Sequence, residues 1–148
     1  MNPTFISVFI FTAYLLWCYF MFGILKSVSA SYYELAKMNK GFIFTLVLWG
    51  FSLPVMIAGD SAWFFLAGSA IFFVGAAPEY KYKLEGDVHY AAAVLSILFG
   101  LIGIVDKGDW EIALGLAVGI ALLRLVKNYT YWQELLAFNG ITLYIILR

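Results

Sequence analysis

The chain has 148 residues, 64% of them hydrophobic and only 12% charged, with acids and bases balanced to zero net charge. A soluble domain is about a quarter charged, so this composition excludes an ordinary water-soluble globule, and the neutral balance excludes a basic nucleic-acid-binding surface. Cys18 is the single cysteine and sits inside an apolar run, which excludes an intrachain disulfide and reads as inert packing.

In chain order, Asn2-Pro3 predicts a helix start, because Asn caps free amides and Pro is preset for the first helical position. The run from Phe5 to Leu25 is 21 residues without a charge, which meets the about 20 residues a bilayer core requires. No basic segment precedes it and more apolar runs follow, so it reads as a retained span over 4–25 rather than a signal peptide. Ser31 and Glu34 have capping-box spacing, which predicts a second helix that starts near Tyr32 at the interface and enters lipid at Gly41. Its apolar part covers 41–58, and Pro54 there frees the Gly50 carbonyl and predicts a kink. A turn at Gly59-Asp60-Ser61 leads to a third span over 62–77, which Pro78 ends. Asp87 is placed to cap a fourth span over 88–105 after the polar loop Glu79 to Gly86, and Asp109 to cap a fifth over 110–126. Thr130 and Gln133 repeat the capping-box spacing before a sixth span over 131–147. The expected fold is all-α, a polytopic transmembrane bundle of six spans forming one domain over 1–148.

Positive charge collects in cytoplasmic loops. The first, third and fifth connections hold Lys26, Lys37, Lys40, Lys81, Lys83, Arg124 and Lys127, while the opposite side holds only Lys107 and Arg148. That asymmetry predicts both termini on the non-cytoplasmic side of a bacterial inner membrane, with an acidic outer face of Asp60, Asp106, Asp109 and Glu111. The fourth span carries His89, Ala92, Ala93, Ser96, Gly100 and Gly103 at spacings of three and four, and the fifth aligns Glu111, Gly115 and Gly119. Small residues so spaced let backbones approach in lipid, which predicts these two helices at the centre of the bundle. Such faces leave a homo-oligomer open as well.

His89 falls in the first turn of the fourth span, on its small-residue face, and Glu134 one turn into the sixth. Ser27, Ser29, Ser31, Tyr32, Tyr33, Glu34, Tyr90, Arg124, Tyr129 and Tyr131 lie at similar depth, so polar groups converge on the cytoplasmic leaflet. Ionisable groups inside a membrane are costly and mark functional sites by default, which makes Ser29, Tyr33, His89, Tyr90 and Glu134 the candidate pocket or proton-relay set. A plainer reading stands beside it: His89 bonds a loop carbonyl, Glu34 and Gln133 close their caps, and the aromatics are interfacial belt residues.

Known chemistries narrow little further. One histidine is too few for an ordinary zinc site, so neither a metal nor another cofactor is expected. A Ser-His-acid set can be assembled from Ser27, Ser29 or Ser31 with His89 and a glutamate, although no nucleophile-elbow motif accompanies it. Phosphate loops, dinucleotide fingerprints and CxxC pairs are missing from the sequence. A titrating histidine beside carboxylates and a proline-broken helix are suitable parts for transport, without a visible match between the two halves.

Four stretches, GILKSVSASYY (23–33), FFVGAAPEYK (72–81), LEGDVHYAAA (84–93) and YWQELLAF (131–138), resemble a group of small polytopic membrane proteins of bacterial and phage genomes. The resemblance implies a bacterial or phage origin and a shared polar constellation, and no reaction. A fainter likeness is to the ceramidase-like membrane hydrolases, which also combine Ser, Asp and His at helix ends but carry zinc-binding histidines that this sequence lacks. The expectation is a multi-pass protein of the lipid bilayer whose pocket binds or passes a small solute or a proton. A lipid-modifying hydrolase using the same residues and a non-catalytic interaction protein are the alternatives.

Overall fold

Seven α-helices account for most of the chain in the computed structural model, which describes residues 3–79 and 81–148. The expected Asn2 cap therefore lies outside the described residues. The helices are α1 (Thr4–Phe22), α2 (Ser31–Lys37), α3 (Phe42–Ala58), α4 (Ala62–Ala76), α5 (Lys83–Asp106), α6 (Trp110–Leu122) and α7 (Tyr129–Leu147), with a 3-10 turn over Leu123–Leu125. No strand occurs among the described residues. Two helices, Thr4–Phe22 and Lys83–Asp106, are long and apolar enough to cross a membrane.

The six longer helices alternate in direction, so the short α2 and the α4–α5 and α6–α7 connections share one end of the bundle. Hydrogen bonds tie that end together: Tyr32 donates to Glu79, and Gln133 donates to the Ile120 carbonyl. At the opposite end Lys107 lies 3.7 Å from the Asp60 carboxylate, and Arg148 lies 3.3 Å from Asp109. Helix α4 packs between α3 and α5, α1 lies against α3, and α7 touches α1, α3, α5 and α6. Midway along the bundle the rings of Phe11, Phe51 and Phe138 meet, their centroids 4.8 to 6.0 Å apart.

Large apolar side chains lie on the outside of the bundle as well as in its core, and small hydroxyls are buried among those of the core. Thr4, Ser7, Ser52, Ser96 and Thr142 are fully buried, while Phe9 is 74% exposed, Phe20 80% and Ile57 77%. The buried hydroxyls are satisfied at short range: Ser7 donates to the Phe51 carbonyl at 2.7 Å, and Thr142 to Phe138 at 2.6 Å. Small buried residues let backbones come close, and with their hydroxyls bonded no polar group is stranded.

Several boundaries depart from expectation. Helix α2 stops at Lys37, and a turn with Asn39 at φ +57° separates it from α3, so no helix runs unbroken from Tyr32 into the apolar run. Neither expected capping box forms. Ser31 lies inside α2 and donates to the Val28 carbonyl, Glu34 pairs with Lys37, and α7 starts after Asn128 with no side-chain cap. Asp87 caps nothing, because α5 already begins at Lys83 and absorbs half of the expected loop. Asp109 stands at the N-terminus of α6 without capping it, its carboxylate accepting from Tyr144 and Arg148. Helix α3 continues through Pro54 to Ala58. Ser61 does cap α4, accepting from the Trp63 amide.

Of the packing glycines, Gly100 sits under Ile141, where a Cβ would collide, and Gly119 lies beside Leu136. Gly115 has nothing within 4 Å of the place a Cβ would take. Helix α6 buries only Ala113 and lies at the edge, which corrects its expected central position. Its glycines follow the small-residue spacing, but α7, which touches α1, α3, α5 and α6, is the more central helix.

Candidate functional site

Helix α1 ends at Gly23, whose φ of +72° is a conformation that only glycine adopts freely, and the chain turns back beneath the bundle toward α2. The connecting segment folds as successive turns, with Ala30 donating to the Ser27 carbonyl and Ser31 to Val28. Val28, Ser29 and Ser31 are buried in it. A buried irregular segment must have its polar groups met, and two side chains from distant helices do this, one on its backbone and one on a hydroxyl.

The first is Glu134 in the second turn of α7. Its carboxylate accepts from the Val28 amide at 2.6 Å and also from the Ser29 amide. Two successive N–H groups on one carboxylate fix the segment at the position of Ser29. The second is His89 in α5, which is 3% exposed. Its Nδ1 lies 3.0 Å from the Ala77 carbonyl, just past the end of α4, and its Nε2 lies 2.9 Å from the Ser29 hydroxyl. A carbonyl only accepts, so Nδ1 carries a proton; in the neutral ring Nε2 is then the acceptor and Ser29 donates to it. Glu134 and His89 thus meet through one residue of the connection rather than as a direct pair: the carboxylate holds the backbone of Ser29 and the imidazole its side chain.

Behind this lies a second polar contact. Ser31 donates its only hydroxyl proton to the Val28 carbonyl, so the Tyr14 hydroxyl, 2.5 Å away, donates to Ser31. Further out on α2, Tyr32 donates to Glu79 at 2.8 Å, and burial together with that carboxylate pushes the Tyr32 hydroxyl up to about 12. Tyr33 accepts from the Lys81 amide at 3.0 Å and carries the Lys81 ammonium 4.3 Å above its ring.

A cavity of about 390 Å³ opens at the far end beside Asp109 and Arg148, and one of about 470 Å³ opens beside Ser29. The latter is lined by Lys26, Ser27, Ser29, His89, Tyr90, Tyr129, Thr130, Gln133 and Glu134, with an apolar wall of Ala93, Val94, Ile97 and Ile120. Four of the five candidate residues, Ser29, His89, Tyr90 and Glu134, therefore share one cavity. Tyr33 is not among its lining residues and belongs with Lys81, which corrects its place in the set. The sequence reading left out Lys26, Thr130 and Gln133. Gln133 was legible only as a cap, whereas its amide reaches across to the Ile120 carbonyl at 2.7 Å. The Ala77 carbonyl carries no residue-type signal, although a loop carbonyl for His89 was the plainer of the two readings.

Chemically the site offers an imidazole with one nitrogen fixed by a carbonyl, an alcohol on the other nitrogen, and a carboxylate holding the backbone in place. No group of three or more metal-ligating side chains occurs among the described residues. The class so defined is an all-α protein, with two helices able to cross a membrane, that carries at one end of its bundle a cavity bordered by both polar and apolar side chains. No family model, curated protein or solved structure matches the chain.

Proposed function

We infer that the chain is a six-span protein of a bacterial inner membrane, of the kind found in bacterial and phage genomes, and that its cavity binds a small solute from the cytoplasmic side. The observation that carries this reading is the cavity of about 470 Å³ where buried Ser29 and His89 meet half-buried Glu134. A largely apolar cavity with a few converging polar groups is where a ligand gains hydrogen bonds that the surroundings withhold.

Insertion of all six long helices is supported by the large apolar side chains exposed on the outside of the bundle. Surfaces bearing Phe9, Phe20 and Ile57 cost least in hydrocarbon. Helices α3, α4 and α6, with 17, 15 and 13 residues, reach about 26, 23 and 20 Å at 1.5 Å per residue. Spanning with those lengths requires a locally thinned bilayer or help from flanking residues. Orientation follows from charge, since the cavity end carries Lys26, Lys37, Lys40, Lys81, Lys83, Arg124 and Lys127 against Lys107 and Arg148 at the other. Binding is favoured over passage because the Phe11, Phe51 and Phe138 rings pack the middle of the bundle.

One experiment tests both halves of the reading. In a Cys18→Ala background, Ser29→Cys and Lys107→Cys are treated with a membrane-impermeant maleimide in right-side-out and inverted vesicles. Ser29→Cys should be labelled only in inverted vesicles and Lys107→Cys only in right-side-out ones. Labelling of both from the same side overturns the topology, and a Ser29→Cys thiol that resists labelling from either side overturns the open cavity.

A further inference from the structure

We propose that Ser29 is a nucleophile and His89 its general base, and that the cavity takes a carboxylic ester of an amphiphile, transferring the acyl group to Ser29 and then to water. This rests on the cavity reading above and gives it a substrate class and a reaction.

Three independent features of the geometry coincide. Ser29 Oγ lies 2.9 Å from His89 Nε2, within the reach of a nucleophile and its base. His89 Nδ1, 3.0 Å from the Ala77 carbonyl, is oriented by a group that cannot take its proton, so the ring presents Nε2 as the accepting nitrogen, the role that the orienting acid fills in a hydrolase triad. The hydroxyl also borders a cavity large enough for a substrate headgroup, which a merely structural Ser–His bond does not require. Glu134 is a positioning residue here: through the Val28 and Ser29 amides it fixes the backbone that carries the nucleophile.

The cavity wall suits an amphiphile. Lys26 is the cation among its lining residues, placed for an anionic headgroup or a developing oxyanion, while Val94, Ile97 and Ile120 supply an apolar side. Val94 is 64% exposed on the outside of the bundle, so the apolar wall continues onto the lipid-facing surface and an acyl chain can enter sideways. In the first step Ser29 Oγ bonds to the ester carbonyl carbon and its proton passes to Nε2; the ester C–O bond breaks and the leaving alcohol takes that proton back. In the second step water loses a proton to Nε2, attacks the acyl-serine carbon, and Ser29 leaves with the proton as the fatty acid departs.

The test uses the full chain in lipid nanodiscs and a fluorophosphonate, whose phosphorus bonds to an activated serine oxygen as fluoride leaves. Peptide mass spectrometry of the wild type should place the adduct on Ser29. His89→Gln, which keeps a hydrogen-bonding side chain of similar reach, should label at least 100-fold more slowly while its unfolding temperature stays within a few degrees. A fluorogenic acyl phospholipid should be cleaved by the wild type and not by Ser29→Ala. An adduct on another serine, no adduct at all, or equal labelling of His89→Gln overturns the proposal. Should the Ser29→Cys thiol still be reached by maleimide from the cytoplasmic side in that event, the solute-binding reading stands and only the acyl transfer falls; should it be unreachable, both fall.

Discussion

The two ends of the bundle solve the same problem with different chemistry. At the α2 end, an irregular segment is buried, and its amides and hydroxyls are taken by Glu134, His89 and Tyr14 from three separate helices. At the other end, short turns stay near the surface and are joined by ion pairs such as Arg148 with Asp109, side chains 45% and 43% exposed. Buried polar contacts are costly to leave half made, whereas exposed ion pairs are screened and contribute little. The first end is therefore where a substitution has large consequences. The second is a set of staples, each replaceable by water.

The sharpest way to break this contrast is Glu134→Leu. It removes the acceptor of the Val28 and Ser29 amides and leaves both facing an apolar side chain, at about 1–3 kcal/mol for each stranded donor. Glu134→Gln keeps one acceptor oxygen and should lose less than half as much. Thermal unfolding in nanodiscs measures both, and equal losses for the two variants would mean that the carboxylate's two amide bonds do not hold the connection.

How much of this was legible in sequence depends on whether a signal was local. Apolar runs located the helices, because the length of an apolar segment is a property of that segment alone, and residue depth along each run brought Ser29, His89, Tyr90 and Glu134 to one end. Caps were read poorly. Ser31 has the right spacing to Glu34, yet its hydroxyl is occupied by Val28 and Tyr14, and Glu34 turns to Lys37. Competition from a distant tyrosine is invisible in a four-residue pattern. Tyr33 was misplaced for a related reason: adjacent residues on a short helix point to different sides, and depth does not distinguish them. The glycines of α6 had the spacing of a packing face, but spacing does not say whether a neighbour is present.

That last point yields a second, smaller prediction along the bundle axis. A Cβ on Gly103 would sit 2.8 Å from Phe64 Cε1, a ring buried to 1% exposure. Gly103→Val overpacks that contact and should destabilise by about 1–3 kcal/mol. Gly115→Ala meets open space on an exposed helix and should stabilise by up to about 1 kcal/mol through helix propensity. Comparing the two unfolding midpoints decides whether α5 or α6 is the close-packed helix. A destabilised Gly115→Ala would mean that α6 is covered by a partner, as in a homo-oligomer.

The smallest effect belongs to the staple at the far end. Tyr144 donates to Asp109 at 2.5 Å, and Arg148 Nη1 reaches both the Tyr144 hydroxyl at 2.7 Å and Asp109 at 3.3 Å. Three polar groups converge there, but both charged partners are more than 40% exposed, so solvent screening limits the coupling between them to about 1 kcal/mol or less. Asp109→Asn, Arg148→Ala and the double variant close a thermodynamic cycle that isolates this coupling. It should shrink further as salt is raised, because the Debye length falls from about 10 Å at 0.1 M to about 3 Å at 1 M. A salt-insensitive coupling of several kcal/mol would mean that this end is dry in the membrane, and the two ends would then be alike in chemistry rather than opposed.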